Sequence, residues 1–489
     1  MAQTSFTLEH IGSIHDLNYN VVWSPNELRR AVVARHESLA RAGFFSGDRA
    51  IIAHGGTAAF FVNLFAIWAH GGCAVCVNPG LTAGELANVA AFTEAKVVLH
   101  DGQQAMKALP AAVTPNDTMD LVTASDDPEP IEITHDAASA ALILFTSGTT
   151  GDPKGVVHTF GSLKARIDYN HQHISAETLS RTLCVLPTHF GHGLIGNCLT
   201  PLFAGGDLFL ADGSSMVNAV GLGARLSDNN ITFMSSVPSF WKMALKISRP
   251  PSQQTLRQIS VGSAPVAAEL IQSILDWSGT DDVRNMYGIT ETANWIAGSS
   301  TLDHAPEDGL IGTMWGGEAA VRQADGSLLP QGSGEIAVRP PSLMAGYYKR
   351  PDLTEEVTRD GWYFTGDTGT IDAQGVMRLS GRIKNEINRG GMKISPEEID
   401  LLLERHPAVL EACAFGLPDE VAGEIVAVAI RIAEQQSTDA DTLRAWCIER
   451  IRRDCVPERW FFLKDIPKTD RGKLNRDNVR KACLECEGT

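Results

Sequence analysis

The densest run of chemically capable residues is Phe145-Thr146-Ser147-Gly148-Thr149-Thr150-Gly151-Asp152-Pro153-Lys154-Gly155-Val156, directly after an apolar stretch at 140–145. Its glycines let backbone N–H groups turn inward, its hydroxyls add donors, and Lys154 supplies a positive charge. Such a loop behind a strand suits a triphosphate. It is not a Walker A loop, because Lys154 is followed by Gly155 rather than Ser or Thr, and Pro153 separates it from the glycines. A plain polar turn is the bland alternative, and the density of donors counts against it.

Further runs of the same kind follow. Ser260-Val261-Gly262-Ser263-Ala264-Pro265 is a small-residue turn, and Asn285-Met286-Tyr287-Gly288-Ile289-Thr290-Glu291 ends in a hydroxyl and a carboxylate. A tyrosine ring can stack on a purine, Thr290 can donate to a phosphate, and Glu291 offers the hard oxygen that Mg²⁺ prefers. Alone, Glu291 would read as a solvated surface acid. Beyond them lie Tyr363-Phe364-Thr365-Gly366-Asp367, then Gly381-Arg382-Ile383-Lys384, then residues 387–398 with Gly390 and Gly391, and finally 467–476 with Lys473.

Taken together and in this order, these runs resemble the signatures of the adenylate-forming superfamily, which includes acyl-CoA synthetases, aryl-CoA ligases, adenylation domains and luciferase. The resemblance spans about residues 146–476 and implies an ATP-dependent carboxylic acid ligase. Such an enzyme makes an acyl-AMP with release of pyrophosphate, then passes the acyl group to a thiol. It implies ATP contacts from Thr146, Ser147, Gly148, Thr149, Thr150 and Lys154, and from Ala264, Pro265, Asn285, Met286, Tyr287 and Gly288. It further implies Mg²⁺ on Glu291 beside Thr290, ribose hydroxyls on Asp367, and ribose and phosphates on Arg382. Lys384 falls at the family's hinge, Gly390 and Gly391 at its pantetheine tunnel, and Lys473 where a lysine contacts the carboxylate and α-phosphate. Two departures stand out: Phe364 occupies a position that is usually basic, and Asn385 replaces an acid that often follows the hinge residue.

The substrate is read from residues 186–197, where amino-acid-activating members carry an acid that pairs with the α-ammonium. This stretch has none, so a free amino acid would leave its ammonium buried without a partner. It resembles benzoate- and anthranilate-type ligases, with Phe190, His192, Gly262 and Ser263 as the expected acid pocket. The expected substrate is an aryl or otherwise compact, apolar acid. His189 and His192 read equally as packing or gating residues. The expected acceptor is coenzyme A. A carrier-protein pantetheine or an amine stays open, because Asp454-Cys455-Val456-Pro457 lacks the lysine many relatives have there. Arg450, Arg452 and Arg453 read as either a carrier-protein face or a solvated one. A γ-phosphate-transferring kinase and a nucleotide-binding scaffold without activity are the rival readings. The first lacks its loop; the second sits badly with the presence of each charged residue named above.

These residues need a scaffold, and the 489-residue chain is long enough for several domains. Its 44% apolar and 20% charged composition is that of a globular protein. A formal net charge of −17 argues against nucleic acid or an anionic membrane surface as partner. Nine cysteines without secreted-domain spacing suit reduced thiols in a cytoplasm. Two C-x-x-C pairs occur, Cys73/Cys76 and Cys483/Cys486, but the first lies in a strand that turns its thiols to opposite faces, so no zinc site is expected. No signal peptide and no membrane span is expected, the longest apolar stretch at 58–69 being interrupted by Asn63.

Helices are expected at 24–42, 58–70 and after Thr82, alternating with strands at 49–53, 73–78, 96–100 and 140–145, the pattern of a parallel sheet covered on both faces. Short strands with Gly and Pro turns follow at about 318–348. A tail of its own carries helices at 397–405 and 440–453 and strands at 408–415 and 424–432. The expected fold is thus α/β: a large N-terminal domain, 1–383, with parallel α/β sheets plus a small β-barrel-like subdomain, and a small, mobile α+β C-terminal domain, 384–489.

Overall fold

The computed structural model describes residues 2–100, 112–113, 132–146, 154–211, 215–389, 392–419, 422–469 and 474–487. The chain divides into two compact units. The first is Met1–Pro306, Ile311–Glu318 and Arg339–Tyr363; the second is Glu307–Leu310, Ala319–Val338 and Phe364–Thr489.

Helix formation in the first unit follows the local signals. Ser24 and Thr82 each close a capping box, with Glu27 and Glu85 respectively, and so start the helices Pro25–Arg41 and Ala83–Thr93. Gly43, at φ 73°, lets the chain leave the first of them. One sheet of this unit runs in the order Gly346–Tyr347, Lys154–Thr159, Ala140–Thr146, Cys73–Cys76, Arg49–Ile52, Val97–Leu99, Ala112–Val113. Its members from Ala140–Thr146 onward pair in parallel, while Lys154–Thr159 pairs antiparallel on both sides. In a second sheet the parallel strands Asp207–Leu210, Arg181–Cys184, Phe233–Ser236, Gln258–Gly262 and Val283–Ile289 lie side by side. The helix Ala58–Ala69 shares one apolar cluster with residues of both sheets, such as Ile52, Leu142 and Leu210. That sharing explains why, Asn63 apart, it is apolar all round.

Alternation along Cys73–Cys76 sends Cys76 into that cluster and Cys73 into the one on the sheet's other face, as expected. No set of three or more metal-ligating side chains occurs among the described residues. Eight of the nine cysteines are buried, and Cys486 is exposed.

In the second unit, strands Val409–Asp419 and Gly423–Ile432 pair antiparallel, with Arg459–Phe462 parallel beside the latter. Helices Pro396–Glu404 and Ala440–Ile448 cover one face. The helix expected at 440–453 stops at Ile448. Arg450 and Ile451 both donate to the Cys447 carbonyl, and the chain then turns Cys455 and Val456 into the core. Among the described residues no helix is long and apolar enough to cross a membrane.

Candidate active site

The strands Ala140–Thr146 and Lys154–Thr159 pair so that Thr146 faces Lys154, and the donor-rich loop 147–153 is the connection between them. Ser147, Gly148, Thr149 and Thr150 therefore lie outside the described residues, but both rims of the loop are fixed. Val156 pairs with Tyr347 on the other side. This register brings the Tyr347 ring within 5.1 Å of the Lys154 ammonium, a cation–π contact.

The same tyrosine organises Glu291. Its phenol donates to Glu291 Oε1 at 2.7 Å, and Met344 N–H donates to the Glu291 carbonyl. Burial, reinforced by the Glu291 carboxylate, raises the Tyr347 phenol well above its ordinary range, so it stays protonated and keeps donating. Tyr363, raised by burial in the same way, stands beside Tyr347. Sequence reasoning gave neither tyrosine a role. Tyr363 stood inside a recognised run, and the only signal for Tyr347 was its place on a short strand after a Gly turn.

Behind Glu291, the turn Thr290–Thr292 rests on His158, whose Nε2 lies 2.8 Å from the Thr290 carbonyl. That carbonyl can only accept, so Nε2 carries the proton. Burial lowers this imidazole to about 4, and it is neutral at pH 7. Asn285 and Tyr287 lie on one face of Val283–Ile289, both buried. Met286 points the other way, into an apolar cluster with Phe233, Trp295 and Trp315. Gly288 continues the strand, paired with Trp295.

Of the residues expected to form the acid pocket, His192 meets Ser263, the neighbour of Gly262. His192 begins a wide-turn π-helix, His192–Leu199, a rare geometry that recurs at functional sites. Its Nδ1 lies 2.8 Å from Ser263 Oγ and its Nε2 2.6 Å from Ser235 Oγ. Trp295 meets the ring edge-on at 5.4 Å. Ser263 holds φ at 68°, unusual for a residue with a Cβ and a strain of the kind found at binding sites. Gly262 before it is required, since a Cβ there would fall 2.6 Å from the Met286 carbonyl oxygen. Ala264 and Pro265 are exposed just beyond. Phe190 contacts His189, centroid to centroid 4.1 Å. Ser235 and Trp295 were not anticipated, because nothing in their local sequence distinguishes them from core residues.

In the second unit, Asp367 and Arg382 are partners across a strand pair, and Arg382 Nε lies 2.6 Å from Asp367 Oδ1. Asp367 is buried while the Arg382 side chain is exposed to 42%. At Phe364, where a basic residue was expected, the Arg322 guanidinium stands 4.2 Å over the ring. Lys384 lies in the short turn Ile383–Asn385. The hairpin Ile387–Arg389 with Met392–Ile394 has Gly390 and Gly391 at its tip, outside the described residues, as is Lys473.

Comparison with known proteins agrees. Residues 17–348 match the model of the AMP-binding enzyme family, and residues 398–473 match the AMP-binding enzyme C-terminal domain. A sulfoacetate–CoA ligase of Cupriavidus necator is 34% identical, covering 83% of this chain and 82% of its own. A feruloyl-CoA synthase of an Amycolatopsis species is 32% identical over 93% of each. The crystal structure of ATP-bound MatB from Rhodopseudomonas palustris, 25% identical, superposes with a TM-score of 0.86 over 97% of this chain and 96% of that one. The chain belongs to the AMP-binding enzyme family, within the adenylate-forming superfamily.

Proposed function

We propose that this protein is an AMP-forming acid–CoA ligase whose acid is compact and carries a hydrogen-bonding group remote from its carboxylate. The observation behind the first half is Tyr347, which holds the Lys154 cation against its ring and the Glu291 carboxylate on its hydroxyl. An anionic triphosphate needs both a cation and a seat for its metal ion. Glu291 fits Mg²⁺: with Oε1 accepting from Tyr347, its other oxygen is a hard ligand, and Mg²⁺ takes few protein ligands when phosphates supply the rest. Held there, with Thr290 nearby, such an ion would neutralise phosphate charge.

The chain's own residues then do the following. Lys154 and the 147–153 donors hold the phosphates, and Asp367 and Arg382 the ribose. Lys473 is assigned to the two reacting anions by its place in the 467–476 run. A carboxylate oxygen attacks the α-phosphorus, a new O–P bond forms, and the bond to pyrophosphate breaks. No protein base is required, because the acid is already ionised. With Lys384 as hinge between 1–383 and 384–489, the tail turns. A thiol then attacks the acyl carbon, a C–S bond forms, its proton goes to solvent, and AMP leaves.

For the acid, the pocket favours a polar partner. His192 and Ser235 are buried polar groups with the half-buried Ser263 hydroxyl beside them, and an apolar substrate would gain nothing from them. The names of two relatives fit this, since sulfoacetate and ferulate each bear a second polar group. Coenzyme A as acceptor rests on the same relatives, and a cytoplasmic location accords with reduced thiols. The test is a panel of short dicarboxylic, sulfonated, hydroxyaryl and plain alkyl acids scored by pyrophosphate release with and without CoA. Release with the polar acids and CoA-dependent AMP formation support the reading. Release with none sinks it, and preference for plain alkyl acids overturns the polar pocket.

A further inference from the structure

The hinge turn Ile383–Asn385 is clasped by a polar cluster that no catalytic role accounts for. Ser395 begins the helix Pro396–Glu404 and occupies its N-cap, yet its hydroxyl makes no capping bond. It donates instead toward the Ser380 carbonyl at 2.6 Å and the Glu397 carboxylate, Oε2, at 3.0 Å. A serine hydroxyl has one proton, so these two acceptors compete for it. Ser380 precedes the hinge turn, whereas Ser395 and Glu397 follow it. A cap serine that gives up its ordinary bond forgoes stability of the kind capping brings, and so has another use.

The surroundings fit a clasp. Gly381 is what lets it close: a Cβ there would fall 2.4 Å from Ser395 Oγ. Glu397 Oε1 accepts from the Asn385 amide at 2.7 Å and pairs with Arg476 at 3.0 Å. Arg476 also pairs with Asp400 at 2.7 Å and donates to the Ala414 carbonyl. Glu397 therefore connects the hinge turn to the segment that carries Lys473. Asn385 suits this place better than the acid often found there, because a second carboxylate would repel Glu397.

The geometry points to Ser395 as the positioning residue of a two-position latch: its proton bonds the Ser380 carbonyl in the hinge setting seen here, and passes to Glu397 when rotation about residues 383–385 carries the carbonyl away. This rests on the ligase reading, in which the tail turns between half-reactions. Because the proton bonds a carbonyl in one setting and a carboxylate in the other, the latch biases the balance by the difference between those two bonds, on the order of a few-fold.

The experiment uses the full chain with Ser395→Ala, which removes the proton, and Ser395→Thr, which keeps it. Acid-dependent pyrophosphate release and CoA-dependent cleavage of supplied acyl-AMP are measured separately. Ser395→Ala is expected to change the ratio of the two rates by about three- to ten-fold, with Ser395→Thr restoring it. Equal changes in both rates, or a ratio within about two-fold of wild type, overturn the latch. Amide hydrogen exchange across residues 380–386 reads the clasp without substrate. Faster exchange in the alanine variant, recovered in the threonine variant, supports it, and unchanged exchange overturns it. A wild-type protein that releases no pyrophosphate with any acid sinks the ligase reading alone.

Discussion

Tyr347 lies between Lys154 and Glu291, its ring under the ammonium and its hydroxyl donating to the carboxylate at 2.7 Å. One side chain thus sets the spacing of the cation and the carboxylate proposed for the triphosphate. Tyr347→Phe keeps the ring and removes the hydroxyl. The expected result is a rise in the Mg²⁺–ATP requirement for pyrophosphate release of about ten- to one-hundred-fold, with the fold intact, since a hydrogen bond to a charged group contributes about 1.5–3 kcal/mol. A change below two-fold would show that Glu291 keeps its position unaided.

Ser235 offers a test of the acid pocket away from the nucleotide. Ser235→Ala removes the group 2.6 Å from His192 Nε2 and leaves Ser263 on the other nitrogen. Relative kcat/KM for acids with a remote polar group is expected to fall about ten-fold against plain alkyl acids, the cost of one unpaired buried polar atom. A uniform fall for every acid would assign Ser235 to packing.

Lys473 carries the half-reaction prediction. Lys473→Ala is expected to abolish acyl-AMP formation while leaving cleavage of supplied acyl-AMP by CoA largely intact. Comparable losses in both would contradict a tail that alternates between two roles.

His158 gives a pH signature. Burial lowers its imidazole from 6.5 to about 4 in the folded chain. Between those values the unfolded chain binds more protons, so this residue's contribution to stability shrinks as pH falls, by up to about 1.4 kcal/mol per unit. Asp400, raised by burial to about 7, acts with the opposite sign, and a difference measurement separates the two. Unfolding free energies of wild type and His158→Gln, compared from pH 7 to pH 4, should converge as pH falls. A constant difference would show that His158 takes up its proton at the same pH in the folded and unfolded chains.

Much of this was legible because it is local. Ser24 with Glu27 and Thr82 with Glu85 announce their helices through a four-residue rule. The loop between Thr146 and Lys154 announces itself by composition. The early stop at Ile448 was missed because it is set by burial of Cys455 and Val456, a tertiary demand that overrides helical periodicity. Tyr347 and Ser235 were illegible for a related reason. Strand registers bring them to Glu291 and His192 from distant parts of the chain, and one sequence without its pairings does not encode those distances in any window.

The cysteine distribution has a practical consequence. With eight thiols sealed inside the cores and Cys486 alone exposed, near the end of the helix Arg476–Glu487, a maleimide dye or spin probe has one ready address on the native chain. That address lies on the tail that is proposed to turn. Its reorientation during turnover can therefore be recorded optically or magnetically on unmutated protein.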